Sequence, residues 1–159
     1  MADPVVTLRE LVAATDISRD PRVSDIAGLV EEAAELAAVE DPGKRLSEAG
    51  DVLWYVAAVA RDFNLPLSQV LYRATYDPRT MQLWPLDAAV LVCAAAKRAA
   101  RGDDGAHGRL SEALAARAAL AGGAAGVPIG DIVKALSEKL KARKKAGTIM
   151  GDGEGVRRV

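Results

Sequence analysis

Two pairs of acidic residues constrain the fold of this chain more than any other feature of its sequence. Glu32 and Glu35 are three residues apart, and so are Glu48 and Asp51. Residues at this spacing share one face of an α-helix, so each pair predicts an acidic face on one of two consecutive helices. Antiparallel packing of the two helices would bring the faces together. Because neighbouring carboxylates repel one another and are costly to desolvate, the pattern predicts a cation between them.

The donor atoms of the four side chains indicate which cation. All of them are carboxylate oxygens, which suit Mg²⁺, or Mn²⁺ as an alternative, better than zinc. A second interpretation is that the acids form a solvated helix face, as most runs of glutamate do. The metal site is the preferred hypothesis because the two pairs have matched spacing.

The composition predicts an all-α protein. Half of the 159 residues are hydrophobic, alanine dominates among them, and only 4% are aromatic. Such a composition favours helices that pack through small side chains over a sheet. The length predicts a single domain, residues 1–159, with a hydrophobic core.

Charge, cysteine content and hydropathy narrow the function classes. A net charge of −1 argues against a nucleic-acid-binding protein. The single cysteine excludes an intrachain disulfide, and the amino terminus does not resemble a signal peptide, so we expect a cytoplasmic protein. The longest apolar runs are shorter than the roughly 20 residues that cross a bilayer, so we expect no membrane contact.

Apolar residues at helical spacing predict four helices in the first half of the chain. They cover about residues 8–14, 25–40, 44–63 and 68–75, with Thr7 capping the first and Ser24 or Asp25 the second. The segment Asp41-Pro42-Gly43 is interpreted as a breaker between the second and third helices.

The second half of the chain repeats the first. Residues 25–38 match residues 87–100 at eight of fourteen positions, and Arg45-Leu-Ser-Glu-Ala recurs as Arg109-Leu-Ser-Glu-Ala. We interpret this as a tandem duplication, with repeat one at about 22–80 and repeat two at about 84–146. Neither half can cover its own apolar face, so the two are expected to pack as a pseudo-dimer in one helical bundle.

The second repeat has lost nearly all of the acids. Glu48 keeps its counterpart, Glu112, whereas the other acids correspond to non-acidic residues: Cys93, Ala94 and Lys97 for Glu31, Glu32 and Glu35, and Ala115 for Asp51. The sequence therefore predicts one metal site per chain. In addition, Ala121-Gly122-Gly123 predicts a break in the helix that repeats residues 44–63.

The acidic pattern resembles that of the MazG-like all-α nucleoside triphosphate pyrophosphohydrolases. The resemblance is carried by Glu31-Glu32-x-x-Glu35 followed by Glu48-x-x-Asp51, and by the tail Lys139-Leu-x-x-Arg143 with Gly147-Thr-Ile-x-Gly151. It covers about residues 20–75 and 130–157. The segment 147–159 corresponds to the glycine-rich, basic ending that many members place over the triphosphate.

The resemblance implies a role for each matching residue. Glu32, Glu35, Glu48 and Asp51 would bind Mg²⁺, and Glu31 would orient or deprotonate the attacking water. The substrate-binding candidates are Lys139, Arg143, Lys144 and Lys97 for the phosphates, Tyr55 and Trp54 for the base, and Arg157 in the tail. The implied reaction is hydrolysis of a nucleoside triphosphate, in particular a deoxynucleoside triphosphate, to the monophosphate and pyrophosphate, as in the cleaning of nucleotide pools.

Two alternatives stay open at this point. Phosphoribosyl-ATP pyrophosphohydrolases carry a similar acidic pattern, although the duplication and the Gly-Thr-Ile tail favour the first interpretation. A helical module that senses nucleotides without hydrolysing them would also need a cation among the acids. Association of the pseudo-dimeric chains into a homo-oligomer is likewise left open.

Overall fold

The protein is built entirely from helices in the part of the chain that the computed structural model describes, residues 3–16, 21–76 and 85–147. Seven helices occupy these ranges and none of their residues forms a strand: α1 Pro4–Thr15, α2 Pro21–Ala38, α3 Pro42–Asp62, α4 Leu67–Tyr76, α5 Pro85–Ala99, α6 Asp104–Ala125 and α7 Ile129–Lys145. The predicted all-α class is confirmed.

Prolines begin four of the seven helices, namely α1, α2, α3 and α5. Proline suits the first helical position because its fixed φ matches the helix and its missing N–H would have no partner there. An aspartate caps the N-terminus of two of these helices, α1 and α3. Asp3 accepts a hydrogen bond from the Val5 backbone N–H at 2.8 Å, and Asp41 accepts one from Gly43 at 2.9 Å.

The predicted caps of the first two helices are wrong. Thr7 lies inside α1, and Ser24 and Asp25 lie inside α2, because both helices begin earlier at a proline. The predicted break at residues 121–123 is also wrong, since α6 continues to Ala125 and ends at Gly126, whose φ is +69°. Burial of alanines along α6 outweighs the low helix propensity of its two consecutive glycines.

The helices form two pairs that pack on each other. α2 packs on α3, α5 packs on α6, and α3 contacts α6 between the pairs. The last helix of each half packs on the other half: α4 packs on α6, and α7 packs on α3. This reciprocal exchange is the arrangement that a pseudo-dimer of two repeats would have, while the duplication itself stays a prediction.

No single helix in the described ranges is long and apolar enough to cross a membrane. The α6 and α7 helices would together meet the requirements of length and composition, but they are bent by 82° relative to each other.

Candidate metal centre

The α2 and α3 helices approach each other closely at Gly28. A Cβ atom placed on Gly28 would lie 2.2 Å from Cε1 of Tyr55, so only glycine leaves room for the tyrosine ring. Glu32 lies one turn after Gly28 on α2, and Asp51 lies one turn before Tyr55 on α3. The close contact between the helices therefore sets these two carboxylates opposite each other.

Three of the four predicted metal ligands come together at this point. Carboxylate oxygens of Glu32, Glu48 and Asp51 lie within 4.8 Å of one another, and all three residues are partly buried. Oxygen ligands on opposite sides of one Mg²⁺ are about 4.2 Å apart, because each bond is about 2.1 Å long. The separation of the three oxygens is thus close to that of ligands on a single ion. We name these three residues the acid cluster.

The other two predicted acids lie outside the acid cluster. Glu35 is exposed, but its charge is close enough to raise the pKa of Glu32, which places it at the edge of the cluster. Glu31 is also exposed. Successive residues are about 100° apart around a helix, so Glu31 projects from a different face of α2 than Glu32 does.

The acid cluster holds excess negative charge. Burial raises the pKa of Glu32 to about 7, and the charges of Asp51, Glu35 and Glu48 act in the same direction, against the opposing effect of Lys139. A dication bound among these oxygens would reverse the repulsion and favour the ionised form of Glu32. The electrostatics of the cluster therefore suit a divalent cation.

Lys139 reaches the acid cluster from the second half of the chain. Its Nζ forms a salt bridge with Oδ2 of Asp51, and the two side chains are 20% and 21% exposed. Leu136, one turn earlier on α7, is buried against α3, where a Cβ on Gly50 would lie 3.3 Å from that of Leu136. The glycine lets α7 lie close enough to α3 for Lys139 to reach Asp51.

The other basic candidates that the structure describes are exposed at helix ends. Arg143 and Lys144 are exposed in the last turn of α7, and Lys97 is exposed in the last turn of α5. Arg157 lies outside the described residues. Because Arg143 is four residues after Lys139, it shares the face of α7 that points towards the acid cluster.

The two aromatic candidates pack against α1 and α2. The indole Nε1 of Trp54 donates a hydrogen bond to Oγ1 of Thr15 at 2.8 Å, which ties α3 to the end of α1. The Tyr55 ring is buried against Gly28 and meets the Trp54 ring edge-on, with centroids 4.8 Å apart. Both side chains therefore contribute to helix packing, and their role towards a base stays a prediction.

A second group of charges was not anticipated from the sequence. Arg61 Nη2 donates hydrogen bonds to Asp16, to Asp25 Oδ2 at 3.3 Å and to Asp62 Oδ1 at 2.7 Å. The group joins the ends of α1 and α3 to the first turns of α2. Asp16, Asp25 and the adjacent pair Arg61 and Asp62 come from three separate parts of the sequence and follow no helical period, so no sequence signal could have revealed the group.

Within this second group, the ionisation of Asp25 is disfavoured. Burial raises its pKa to about 7, a hydrogen bond with Asp62 and the charges of Asp16 and Asp62 act in the same direction, and Arg61 opposes them. A hydrogen bond between two carboxyl groups requires a proton on one of them. The guanidinium of Arg61 already serves these aspartates as counter-ion, so the group suits a structural role.

One acid of the cluster, Glu48, has an acidic counterpart in the repeat that the sequence predicts for the second half. Glu112, the counterpart of Glu48, lies 3.7 Å from Nη1 of Arg73 on α4. In each half, a basic residue of the last helix thus pairs with an acid of the other half: Lys139 with Asp51, and Arg73 with Glu112. Ala94 and Ala115 occupy the positions that correspond to Glu32 and Asp51.

No protein-family model, curated protein or solved structure matches this chain. Any assignment of function therefore depends on the residues themselves and on their geometry.

Proposed function

We propose that this protein is a Mg²⁺-dependent, MazG-like hydrolase that converts nucleoside triphosphates, in particular deoxynucleoside triphosphates, to monophosphate and pyrophosphate. The observation that carries the proposal is the convergence of Glu32, Glu48 and Asp51, whose oxygens lie within 4.8 Å of one another. The raised pKa of Glu32 adds support, because it reflects burial together with neighbouring negative charge that one lysine only partly offsets. Removal of damaged or surplus nucleotides from the pool is the proposed role.

Each residue of the centre has a defined part in this reaction. Glu32, Glu48 and Asp51 would hold the ion, with Glu35 at the edge of the site. Bound Mg²⁺ supplies two effects, neutralisation of phosphate charge and a lower pKa for a coordinated water.

The protein supplies the remaining groups. Lys139 and Arg143 share one face of α7 and donate hydrogen bonds to phosphate oxygens, with Lys144 and Lys97 adding positive charge. Glu31 is exposed on α2 next to Glu32. It is assigned the role of orienting the attacking water and accepting its proton, which requires its side chain to turn from its own face of α2 towards the metal.

The test compares two glutamates that occupy the same position in a repeated sequence. Pyrophosphate release is measured with Mg²⁺ and a panel of nucleoside and deoxynucleoside triphosphates. Glu48→Gln is expected to lower kcat/KM by more than about 100-fold, because loss of a direct metal ligand should exceed the 10- to 100-fold effect typical of outer-shell groups. Glu112→Gln, within the same Arg-Leu-Ser-Glu-Ala sequence, is expected to retain wild-type activity. Equal losses in the two variants would refute the assignment of the site.

The same assay separates the alternatives. Release of pyrophosphate from phosphoribosyl-ATP alone would indicate a phosphoribosyl-ATP pyrophosphohydrolase. A rise in melting temperature with Mg²⁺ and nucleotide, but no pyrophosphate from any substrate, would indicate a nucleotide sensor.

A further inference from the structure

A cavity of about 230 Å³ lies beside the acid cluster, between α2, α3 and α6. Its wall includes Leu36, four residues after Glu32 on α2, and Val52, four residues after Glu48 on α3. Residues four apart on a helix are neighbours, with Cβ atoms about 5–6 Å from each other. The cavity therefore borders the acid cluster on both helices that build it.

The cavity exists because α6 has small side chains where α3 has large ones. In the register set by the repeated Arg-Leu-Ser-Glu-Ala, Ala119 and Gly123 of the wall correspond to Tyr55 and Val59. Tyr55 and Val59 fill the interior of their own half. At the corresponding places on α6, the missing side-chain volume leaves open space.

One charged side chain lies in this otherwise apolar wall. Arg117 lines the cavity and is only 4% exposed, and in the same register it corresponds to Leu53, a fully buried core residue. Burial lowers the pKa of Arg117, which reflects the cost of placing its charge there. An arginine carries only hydrogen-bond donors, so a ligand group that meets it must be an acceptor.

The dimensions and chemistry of the cavity limit what it can hold. Its volume is below the 300–1,000 Å³ that is typical of sites for whole drug-sized ligands, so it suits one flat ring system. Alanine and leucine walls favour an apolar ring face, and Arg117 favours acceptor atoms on the ring edge. Wall residues Ala37, Gly123 and Ala124 are exposed, so the cavity is open to solvent on that side.

We infer that this cavity binds the base of the nucleotide and that Arg117 selects bases with a carbonyl acceptor over adenine. The identity of the ligand as a nucleotide rests on the proposed function. Guanine, cytosine and thymine each have a carbonyl oxygen that a guanidinium can bind, whereas adenine has none. Phosphates attached to a base in the cavity would extend towards the adjoining acid cluster. Neither Trp54 nor Tyr55 lines the cavity.

The experiment fills the cavity and measures binding without phosphate or metal. Deoxyguanosine, deoxycytidine, thymidine and deoxyadenosine are titrated into the full-length protein and followed by NMR. The first three are expected to bind at least about fivefold more tightly than deoxyadenosine, the low end of the range for a specific arginine–base contact.

Gly123→Leu is expected to weaken nucleoside binding at least tenfold by occupying the cavity. A Cβ on Gly123 meets no atom within 4 Å, so the helix itself can accept the change. Gly108→Leu is the matched control, because Gly108 is also on α6 and also has open space around its Cβ. Equal binding by the two variants, or no nucleoside binding by the wild-type protein, would overturn the inference.

Arg117→Met is expected to abolish the preference over deoxyadenosine while nucleosides still bind. Should the methionine variant not fold, Arg117→Lys keeps the charge without the planar donor group and is expected to reduce the preference. An unchanged preference in the folded variant would exclude the role of Arg117. Because these titrations need no turnover, wild-type protein that binds nucleosides as expected but hydrolyses no triphosphate would refute the proposed function alone.

Discussion

At the scale of single residues, the buried carboxylates of this protein are balanced in two different ways. Around Arg61, the guanidinium bonds to three aspartates that are each at least 94% buried, and Asp25 also shares a hydrogen bond with Asp62. In the acid cluster, Lys139 contacts Asp51 while Glu32 is surrounded by further negative charge. The first group is balanced from within the protein, whereas the second is suited to accept an added cation.

Replacing Glu32 tests this difference. Glu32→Gln is expected to raise the melting temperature of the metal-free protein at pH 8, because it removes a charge whose ionisation is disfavoured there. The same change should reduce the additional rise caused by Mg²⁺. Both effects are measured by thermal unfolding, first without Mg²⁺ and then at Mg²⁺ concentrations that increase in 10-fold steps. Glu31→Gln, on the neighbouring exposed residue, should change neither the melting temperature without metal nor its rise with Mg²⁺. If Glu32→Gln responds to Mg²⁺ as the wild type does, Glu32 is not a metal ligand.

Asp25 predicts a pH dependence of stability. Its pKa is about 7 in the folded protein, against an ordinary value of 3.8, so the folded state binds the proton more tightly. Stability from this group is therefore complete below about pH 4 and is lost as the pH rises through 7. Asp25→Asn mimics the protonated form and should flatten the decline in melting temperature between pH 5 and pH 8. A slope as steep as that of the wild type would show that Asp25 ionises normally. The raised pKa of Glu32 affects the wild type and Asp25→Asn equally, so it does not change the comparison.

At the scale of helices, prolines explain why some boundaries were predicted and others were not. Hydrophobic periodicity locates the helices of the first half correctly because their apolar residues recur at helical spacing. It does not show where they begin, since Pro4, Pro21 and Pro42 act as first helical residues rather than as breakers. Aspartate before proline, as at Asp3 and Asp41, was the available signal for the true starts.

The close contact of α2 with α3 predicts an unusual response to a glycine substitution. Alanine normally stabilises a helix relative to glycine by about 1 kcal/mol. At Gly28 it would meet the Tyr55 ring, and overpacking of this kind costs about 1–3 kcal/mol. Gly28→Ala is therefore expected to lower the free energy of unfolding by about 1 kcal/mol in urea titrations. Gly108→Ala, with open space around it, should raise that free energy; stabilisation by both changes would contradict the described contact.

The position of α7 predicts opposite effects of one substitution on metal and substrate. Lys139→Met removes the ammonium group beside Asp51, so Mg²⁺ should bind several-fold more tightly in calorimetric titrations. If Lys139 also contacts phosphate, KM for a triphosphate should rise, by about tenfold for one charge-assisted hydrogen bond. Lys141→Met, exposed on the same helix, should show neither effect. Weaker Mg²⁺ binding by Lys139→Met would contradict a competition between lysine and metal.

At the scale of the whole molecule, the candidate site combines both halves of the chain. The acids could be predicted because their spacing places each pair on one face of two consecutive helices. Contact between Lys139 and Asp51, which are 88 residues apart, depends on α7 crossing to α3. The Arg61 group and the cavity at Arg117 likewise arise from packing between helices, which no local pattern encodes. The acidic residues could therefore be predicted from the sequence, whereas the charges that balance them and the neighbouring cavity could not.

The end of the chain allows substrate binding and stability to be separated. α7 ends at Lys145, and residues 141–147 are all exposed, so the last turn of this helix adds nothing to the described core. Deletion of residues 146–159 should leave the melting temperature within about 2 °C of that of the wild type, equivalent to less than about 1 kcal/mol for a chain of this size. If the tail folds over the triphosphate, KM should rise at least about tenfold, because cationic contacts to phosphate are lost. The same deletion should leave nucleoside binding in the cavity unchanged, which makes the nucleoside titration its internal control. An unchanged KM would show that substrate is held by α7 and the acid cluster without the tail.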